Sequence, residues 1–331
     1  MKINHNYFSN LALNLAEKNL GKTKLNPSVG CIVVKNNSVI SSGITSINGR
    51  PHAEFNALNK NLNFSGSKMY VTLEPCTHYG KTPPCTNIII KKKIKYVYYC
   101  FDDPDERTFR KARKLLNKNK INLKKINCKK NNIYKSYYLN KKFKLPLIDA
   151  KIAISKDNYT INKKSKWITN LKSRRLTHYL RSKYDCIIST SDTINKDNSL
   201  LNCRLNGFDK NKPDLIIVDR NLKLKKKLKL LKISRNRKTY IVTLKDNIKK
   251  FNFFKKKKIS FIKINNLDSK KDFLYLFKKL YKLGKRRILI ESGLIFLNKL
   301  VKNKLINDLF IFKSNRYLKT AGYNNSKFNY I

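Results

Sequence analysis

Acidic residues are what this sequence most lacks: 20 Asp and Glu stand against 75 Lys and Arg, a formal net charge of +55. Such a charge invites a nucleic-acid reading. Lysine, however, is spread from end to end alongside abundant asparagine, isoleucine and tyrosine, while Gly (10), Pro (8) and Trp (1) are scarce. That is the pattern of AT-rich codon drift, not of a patch built to grip phosphate, and no nucleic-acid partner is expected. No run reaches the roughly 18 apolar residues a membrane span needs, so no membrane partner is expected either. The opening "MKINHNYFSNLALNLAEKNL" lacks the apolar core and small-residue cleavage site of a signal peptide. G-x-G-x-x-G is absent, which removes the Rossmann fingerprint. Seven cysteines, an odd number without regular spacing, argue against a disulfide framework and for a reducing compartment, so a cytoplasmic location is expected.

What is present is enough to fold. Hydrophobic residues make up 41% of 331, too long a chain for one ordinary core, so two domains are expected. The first domain is expected over 1–145, and residues 1 to about 128 alternate helical and strand signals. A helix near 5–20 precedes a strand pair at "VGCIVVKNNSVISSG", turning at Asn36-Asn37. His52–Asn61 reads as a helix, "KMYVTL" as a strand, "CTNIIIKKKI" as a helix, "KYVYYCF" as a strand and "TFRKARKLLNKNK" as a helix. The polar, tyrosine-rich stretch 128–146 reads as a bridge between domains. In residues 146–331, "LIDAKIAIS", "DCIIST", "PDLIIVD", "TYIVTL" and "RRILIES" are strand candidates separated by helices. Both halves are therefore α/β. "NLKLKKKLKLLKIS" is lysine–leucine low complexity with no function assigned to it.

The chemistry concentrates in "GRPHAEFNAL" and "YVTLEPCTHYGKTPPC". His52, Cys76 and Cys85 are three soft or borderline donors. A catalytic zinc takes three protein ligands, leaves the fourth position to water and brings that water's pKa near neutrality. Glu54, two residues past His52 at the start of the same helix, can shuttle the water's proton, as in the nucleobase deaminases. Cys76 and Cys85 are expected at the start of another helix, where the dipole favours thiolate. A Cys76–Cys85 disulfide fits a cytosolic chain poorly. A structural zinc completed by His78 would leave Glu54 without a purpose.

Eight residues separate the cysteines, where the general deaminase signature has two. "HAE" with "TLEPCTHYGKTPPC", preceded by "NPSVGCIVV", resembles the bifunctional riboflavin-biosynthesis deaminase/reductase family. The resemblance continues through "KIAISKD", "SKWIT", "LRSKYDCIISTSDTINKDNSLLNCR" and "ILIESG", in the order of that family's reductase domain. It implies a cytidine-deaminase-like N-terminal domain and a dihydrofolate-reductase-like C-terminal domain. The first would deaminate a diamino-pyrimidinone ribosylamino 5′-phosphate; the second would use NADPH to turn the ribosyl group into ribityl. By resemblance, His52, Cys76 and Cys85 bind Zn2+, Glu54 moves the proton, and Asn26 and His78 contact substrate, with Lys81 assisting. Ala153, Trp167, Thr193, Asp197 and Gly293 fall at the cofactor. Ser165, Arg181, Leu201, Arg204 and Glu291 fall at the reductase substrate, and two arginines suit a phosphate. Lys151 or Asp197 is the expected proton source, Arg220 the candidate for the 2′-phosphate, and a homodimer the family's assembly.

The chain departs from the family at Thr45, where histidine is usual, at Arg110 and Ala112 in place of a glycine pair, at Asn158 for glycine, and at Ser199 and Asn315 for prolines. Three of these six positions fall in the reductase half. Two rival readings follow: a tRNA-type deaminase with a degenerate, non-catalytic second domain, and a non-enzymatic zinc scaffold. The long Cys–Cys spacing argues against the first and the intact Glu54 against the second.

Overall fold

Asn4 caps the first helix by accepting the Tyr7 N–H at 3.0 Å. From there α1 (His5–Lys18) buries Phe8, Ala12, Leu13 and Ala16 on one face. In the computed structural model, which describes residues 4–128, 132–208 and 213–326, the chain divides into two compact units, Met1–Lys144 and Leu145–Ile331.

In the first unit Asn36 and Asn37 both take positive φ, 49° and 60°, the conformation a two-residue hairpin needs. They join β1 (Gly30–Lys35) to β2 (Ser38–Ile44). Next come α2 (Ala53–Leu58), β3 (Lys68–Leu73), α3 (Cys85–Lys91), β4 (Tyr96–Phe101), α4 (Ala112–Lys118), β5 (Asn122–Lys125) and α5 (Lys135–Phe143). The sheet order is β2-β1-β3-β4-β5, antiparallel up to β3 and parallel beyond it. Two glycines set how closely helices approach this sheet. A Cβ on Gly30 would lie 1.9 Å from Ala12 O of α1, and one on Gly43 2.2 Å from Ala53 O of α2. Gly43 thus lets the first turn of α2, which carries Glu54, lie directly on β2.

The second unit comprises β6 (Leu147–Ile154), β7 (Tyr159–Asn162), α6 (Leu171–Arg181), β8 (Cys186–Thr190), α7 (Ser191–Asp197), β9 (Asp214–Val218), α8 (Lys229–Lys232), β10 (Thr239–Thr243), α9 (Ile248–Lys256), β11 (Ile259–Lys263), α10 (Lys270–Lys282), β12 (Arg287–Ile290), α11 (Leu294–Lys302), β13 (Asp308–Lys313) and β14 (Gly322–Asn325). Seven strands form a parallel sheet, β11-β10-β9-β8-β12-β6-β13, and β14 pairs antiparallel with β7. Alternate side chains of one strand serve opposite faces: Ile188, Ile216 and Ile288 join one core, Ile187, Leu215, Ile217 and Leu289 the other. The second core also absorbs the lysine–leucine stretch. Leu222, Leu224, Leu228, Leu230 and Leu231 are all buried, while every lysine between them is exposed.

Three expectations need correction. The tyrosine-rich stretch is not a bridge: its described part ends in α5, and Tyr134 and Tyr137 are buried in the core of the first unit. Their ring area outweighs the polar residues between them; residues 129–131 lie outside the described part. Cys100 and Cys128, which the cysteine arithmetic left unpaired, form a disulfide. The helix expected over "TFRKARKLLNKNK" starts only at Ala112, because Thr108 and Arg110 belong to a turn in which Arg110 takes φ 57°.

Candidate active sites

Three loops of the first unit meet at one point. His52 is the residue before α2, Cys76 lies in the loop after β3, and Cys85 opens α3. Only Cys85 therefore sits at a helix start, against the expectation for both, because the Pro75–Pro84 loop intervenes. His52 Nδ1 is 3.6 Å from Cys76 Sγ and 3.4 Å from Cys85 Sγ, and the Cys85 N–H donates to Cys76 Sγ at 3.2 Å. The three donor atoms lie within 4.8 Å of one another. Zinc bonds of about 2.0 Å to nitrogen and 2.3 Å to sulfur, at a tetrahedral angle, would separate the donors by about 3.5 Å. The donor set therefore fits zinc in both chemistry and spacing, with a fourth position left over.

Electrostatics follow from burial. Glu54 is 4% exposed, and its carboxyl is pushed up to about 7 by that burial and by Cys76 beside it. Hydrogen bonding from Cys85 and His52 pulls the Cys76 thiol well below its usual range, and Cys85 moves the opposite way. On the far side of the imidazole, Nε2 is 3.4 Å from Asn26 Nδ2, and Asn26 donates to Gly49 O at 2.7 Å.

Residues that sequence reading passed over brace this site. Glu74, inside the "TLEPC" motif, is 3% exposed and accepts the Arg110 N–H at 3.1 Å. Thr77 Oγ1 donates to Arg107 O at 3.0 Å, and His78 Nδ1 lies 3.0 Å from Thr108 Oγ1. These bonds stitch the loop after β3 to the loop after β4, so His78 is fixed. Lys81 is exposed in the first of these loops. Tyr134, at the start of α5, reaches Thr72 Oγ1 at 2.5 Å and donates to Ser28 O at 3.1 Å. The family departures are absorbed locally. Thr45 Oγ1 accepts the Val29 N–H at 2.9 Å, and Arg110 and Asn158 take the positive φ, 57° and 66°, that the glycines they replace would allow.

In the second unit, Arg181 at the end of α6 donates from Nε to Glu291 Oε1 at 2.6 Å and from Nη2 to Oε2 at 2.8 Å. Its fork is thus filled by a carboxylate, which corrects the pairing of both arginines with phosphate. Burial pushes the Lys151 ammonium down, with Glu291 and Arg181 as its charged neighbours. Arg204 is exposed and, among the described residues, its guanidinium is held only by neutral groups, Nη1 on Asn202 Oδ1 at 2.7 Å and Nη2 on His178 Nε2 at 3.3 Å. Leu201, which lies between Arg181 and Arg204 in sequence, takes φ 47°. The buried Arg237 holds that segment from below, donating to Leu200 O, Leu201 O and Pro213 O. Gly293 precedes α11, and its N–H donates to Thr193 Oγ1 at 3.0 Å, which joins two cofactor candidates. Ala153 lies on β6 and Asp197, its carboxyl raised by burial, ends α7. Trp167 donates its N–H to Ser165 Oγ at 3.3 Å and lies 49% exposed with the Arg174 guanidinium 4.4 Å from its ring. Arg220 is paired with Asp268 through two bonds, 2.9 and 2.7 Å, so it is not the free cation a 2′-phosphate would call for.

A His–Cys–Cys donor set with a buried carboxylate beside it, in one α/β unit, and a parallel-sheet unit without a Rossmann fingerprint define a deaminase joined to a reductase. Family models agree. Residues 2–101 match the cytidine and deoxycytidylate deaminase zinc-binding region, and residues 146–314 match the RibD C-terminal domain. Riboflavin biosynthesis protein RibD of Buchnera aphidicola is 33% identical over 92% of this chain and 86% of its own, and that of Aquifex aeolicus 31% identical over 94% and 86%. Among solved structures, Acinetobacter baumannii RibD superposes with a TM-score of 0.82 at 26% identity, covering 98% of this chain and 90% of its own. A Thermotoga maritima deaminase/reductase gives 0.80 at 27% identity, covering 95% and 87%. The chain belongs to the RibD family. It is a bifunctional enzyme of riboflavin biosynthesis, a deaminase with a cytidine-deaminase-like fold followed by a reductase with a dihydrofolate-reductase-like fold, and its cofactors are Zn2+ and NADPH. A tRNA-type deaminase with a degenerate second domain is not favoured, since the second half matches the family's reductase domain.

Proposed function

We propose that residues 1–145 deaminate 2,5-diamino-6-ribosylamino-4(3H)-pyrimidinone 5′-phosphate and that residues 146–331 reduce the ribosyl side chain of the product to ribityl. The observation that carries this reading is the convergence of His52, Cys76 and Cys85 within 4.8 Å, with buried Glu54 beside them. The Thermotoga maritima relative is named for the corresponding deaminase and reductase steps.

His52 Nδ1, Cys76 Sγ and Cys85 Sγ are the metal ligands in this reading. Zinc held there supplies the Lewis acidity that brings a water's pKa toward neutrality. Glu54, with a carboxyl near 7, takes a proton from the attacking water and returns it to the departing amino nitrogen. Asn26 and His78 face the pyrimidine and its sugar phosphate.

In the reductase unit Ala153, Trp167, Thr193, Asp197 and Gly293 hold the nicotinamide cofactor, and Ser165, Leu201, Arg204 and Glu291 hold the substrate. Arg181 acts there through Glu291. NADPH, when bound, supplies the hydride. Lys151, buried and lowered, is the proton source that fits beside Glu291. Family resemblance supports a cytoplasmic homodimer; among the described residues no helix is long and apolar enough to cross a membrane.

The test is Glu54→Gln. Metal analysis should find zinc retained, ammonia release should fall by about 10²–10⁴-fold, and NADPH oxidation with the deaminated substrate should be unchanged. Persistence of ammonia release would overturn the role given to Glu54.

A further inference from the structure

Arg204 differs from Arg181 in its partners. Arg181 is neutralised by Glu291 through two bonds, whereas, among the described residues, the Arg204 guanidinium meets only an amide oxygen and an imidazole nitrogen. A guanidinium nitrogen always donates. His178 Nε2, 3.3 Å from Arg204 Nη2, must therefore be the accepting nitrogen of that contact. His178 Nδ1 lies 3.0 Å from Asn202 O and accepts the Arg204 backbone N–H at 3.3 Å. The ring thus touches Arg204 at both nitrogens, through the side chain at Nε2 and through the backbone N–H at Nδ1. Burial, with Arg181 and Arg204 close by, also pushes the imidazole down to about 4, so it is neutral at working pH.

The same carbonyl, Asn202 O, accepts Arg181 Nη1 at 3.1 Å. A continuous chain of contacts therefore runs from Glu291 through Arg181 and Asn202 to His178, and both Asn202 and His178 end on Arg204. Buried side chains fix its root, since Glu291 and Asn202 are each 8% exposed. Its tip is an exposed guanidinium gripped at Nη1 and Nη2 with no carboxylate among the described residues to cancel its charge.

We infer that His178, with Asn202, is a positioning residue that aims Arg204 through neutral acceptors and so keeps the guanidinium charge free for the anionic substrate. A carboxylate in place of His178 would hold the arginine as firmly but quench it. The inference rests on the reading of Arg204 as a substrate ligand and adds the device that makes it one.

The experiment is a double-mutant cycle on the full-length protein, following NADPH oxidation with the deaminated phosphoribosyl substrate. Ammonia release by the other active site serves as an internal control for active protein. Arg204→Met is expected to raise KM for this substrate by tenfold or more. His178→Phe, which keeps the ring but loses the acceptor, is expected to raise it about tenfold with kcat within about twofold. His178→Gln, with a donor and an acceptor on one amide, should recover most of the affinity. In the Arg204→Met background, His178→Phe should have no further effect. If Arg204→Met raises KM while His178→Phe leaves it alone, or acts by the same factor with and without Arg204, the positioning role is overturned and the substrate reading stands. If Arg204→Met leaves KM unchanged, the substrate reading fails and takes the inference with it. His178→Leu replaces His178→Phe in the cycle should the latter fail to accumulate.

Discussion

Glu291 closes on Arg181 with both carboxylate oxygens, at 2.6 and 2.8 Å, and the two side chains are only 9% and 12% exposed. Breaking such a pair from one side leaves a buried charge alone, which costs about 3–5 kcal/mol. Glu291→Gln should therefore lower the stability of the second unit by about that amount at pH 7. Trp167, the sole tryptophan, lies in this unit, so its fluorescence during urea unfolding reports the loss. Burial alone would raise the Glu291 carboxyl, but Arg181 holds it below the usual range. A lowered carboxyl stabilises above its unfolded pKa and loses that contribution as pH falls through the folded value. The gap between wild type and variant should close in acid; a gap independent of pH would refute the assignment.

Tyr134 connects α5 to the sheet through one hydroxyl, which touches Thr72 Oγ1 and Ser28 O. Tyr134→Phe keeps the ring and leaves both partners short of a bond in the core. A loss of about 1–2 kcal/mol is expected for the first unit, with deaminase kcat little changed at 25 °C. Thermal denaturation followed by circular dichroism measures the first, and ammonia release the second.

Asp105 ties Arg107 and Lys141 together, each at 2.6 Å. Hydrogen bonds from Arg107 come first among the causes that hold its carboxyl well below the usual range, with Lys141 adding to them. Arg107 is largely exposed, so its share is discounted for solvent. Asp105→Asn should cost about 1–2 kcal/mol at pH 7. Because the shift is downward, the difference is full above the unfolded carboxylate range and shrinks progressively below about pH 4. Stability measured at pH 7 and again in acid gives the comparison; an unchanged difference would exclude the ion pairs as its source.

Zinc removal should single out one cysteine. Cys76 is part-exposed, whereas Cys85 is 4%, Cys31 and Cys186 0%, and Cys203 2% exposed. After chelation, alkylation followed by peptide mapping should label Cys76 first, and added zinc should restore its protection. Equal labelling with and without zinc would remove Cys76 from the ligand set.

The cluster of His52, Cys76 and Cys85 was legible in the sequence because these are rare residue types at distinctive spacing. In a chain with four histidines, His52 followed by Glu54 and two Pro-Cys pairs has few alternative meanings. The bracing of that cluster was not legible. Glu74 and Tyr134 act through hydrogen bonds to residues 36 and 62 positions away in sequence, and no local period marks such pairs. The strands of the second unit were legible from their continuous apolar runs, the pattern of a sheet covered on both faces. The partners of Arg181 and Arg204 were not, since among 75 basic residues nothing local separates a neutralised arginine from a free one. The Cys100–Cys128 disulfide escaped for a similar reason: its cysteines lie 28 positions apart, and an odd total discouraged any pairing.

The leucines at 222, 224, 228, 230 and 231 point inward while the lysines among them face solvent. Such a segment tolerates two kinds of genetic change very unequally. Exchanging its lysines for glutamine, arginine or asparagine alters only what water touches, so the basic character of the segment can drift without affecting the fold. A one-residue deletion anywhere inside it would shift the downstream leucines out of phase with the core and expose them together. The length of this stretch is therefore constrained far more tightly than its charge.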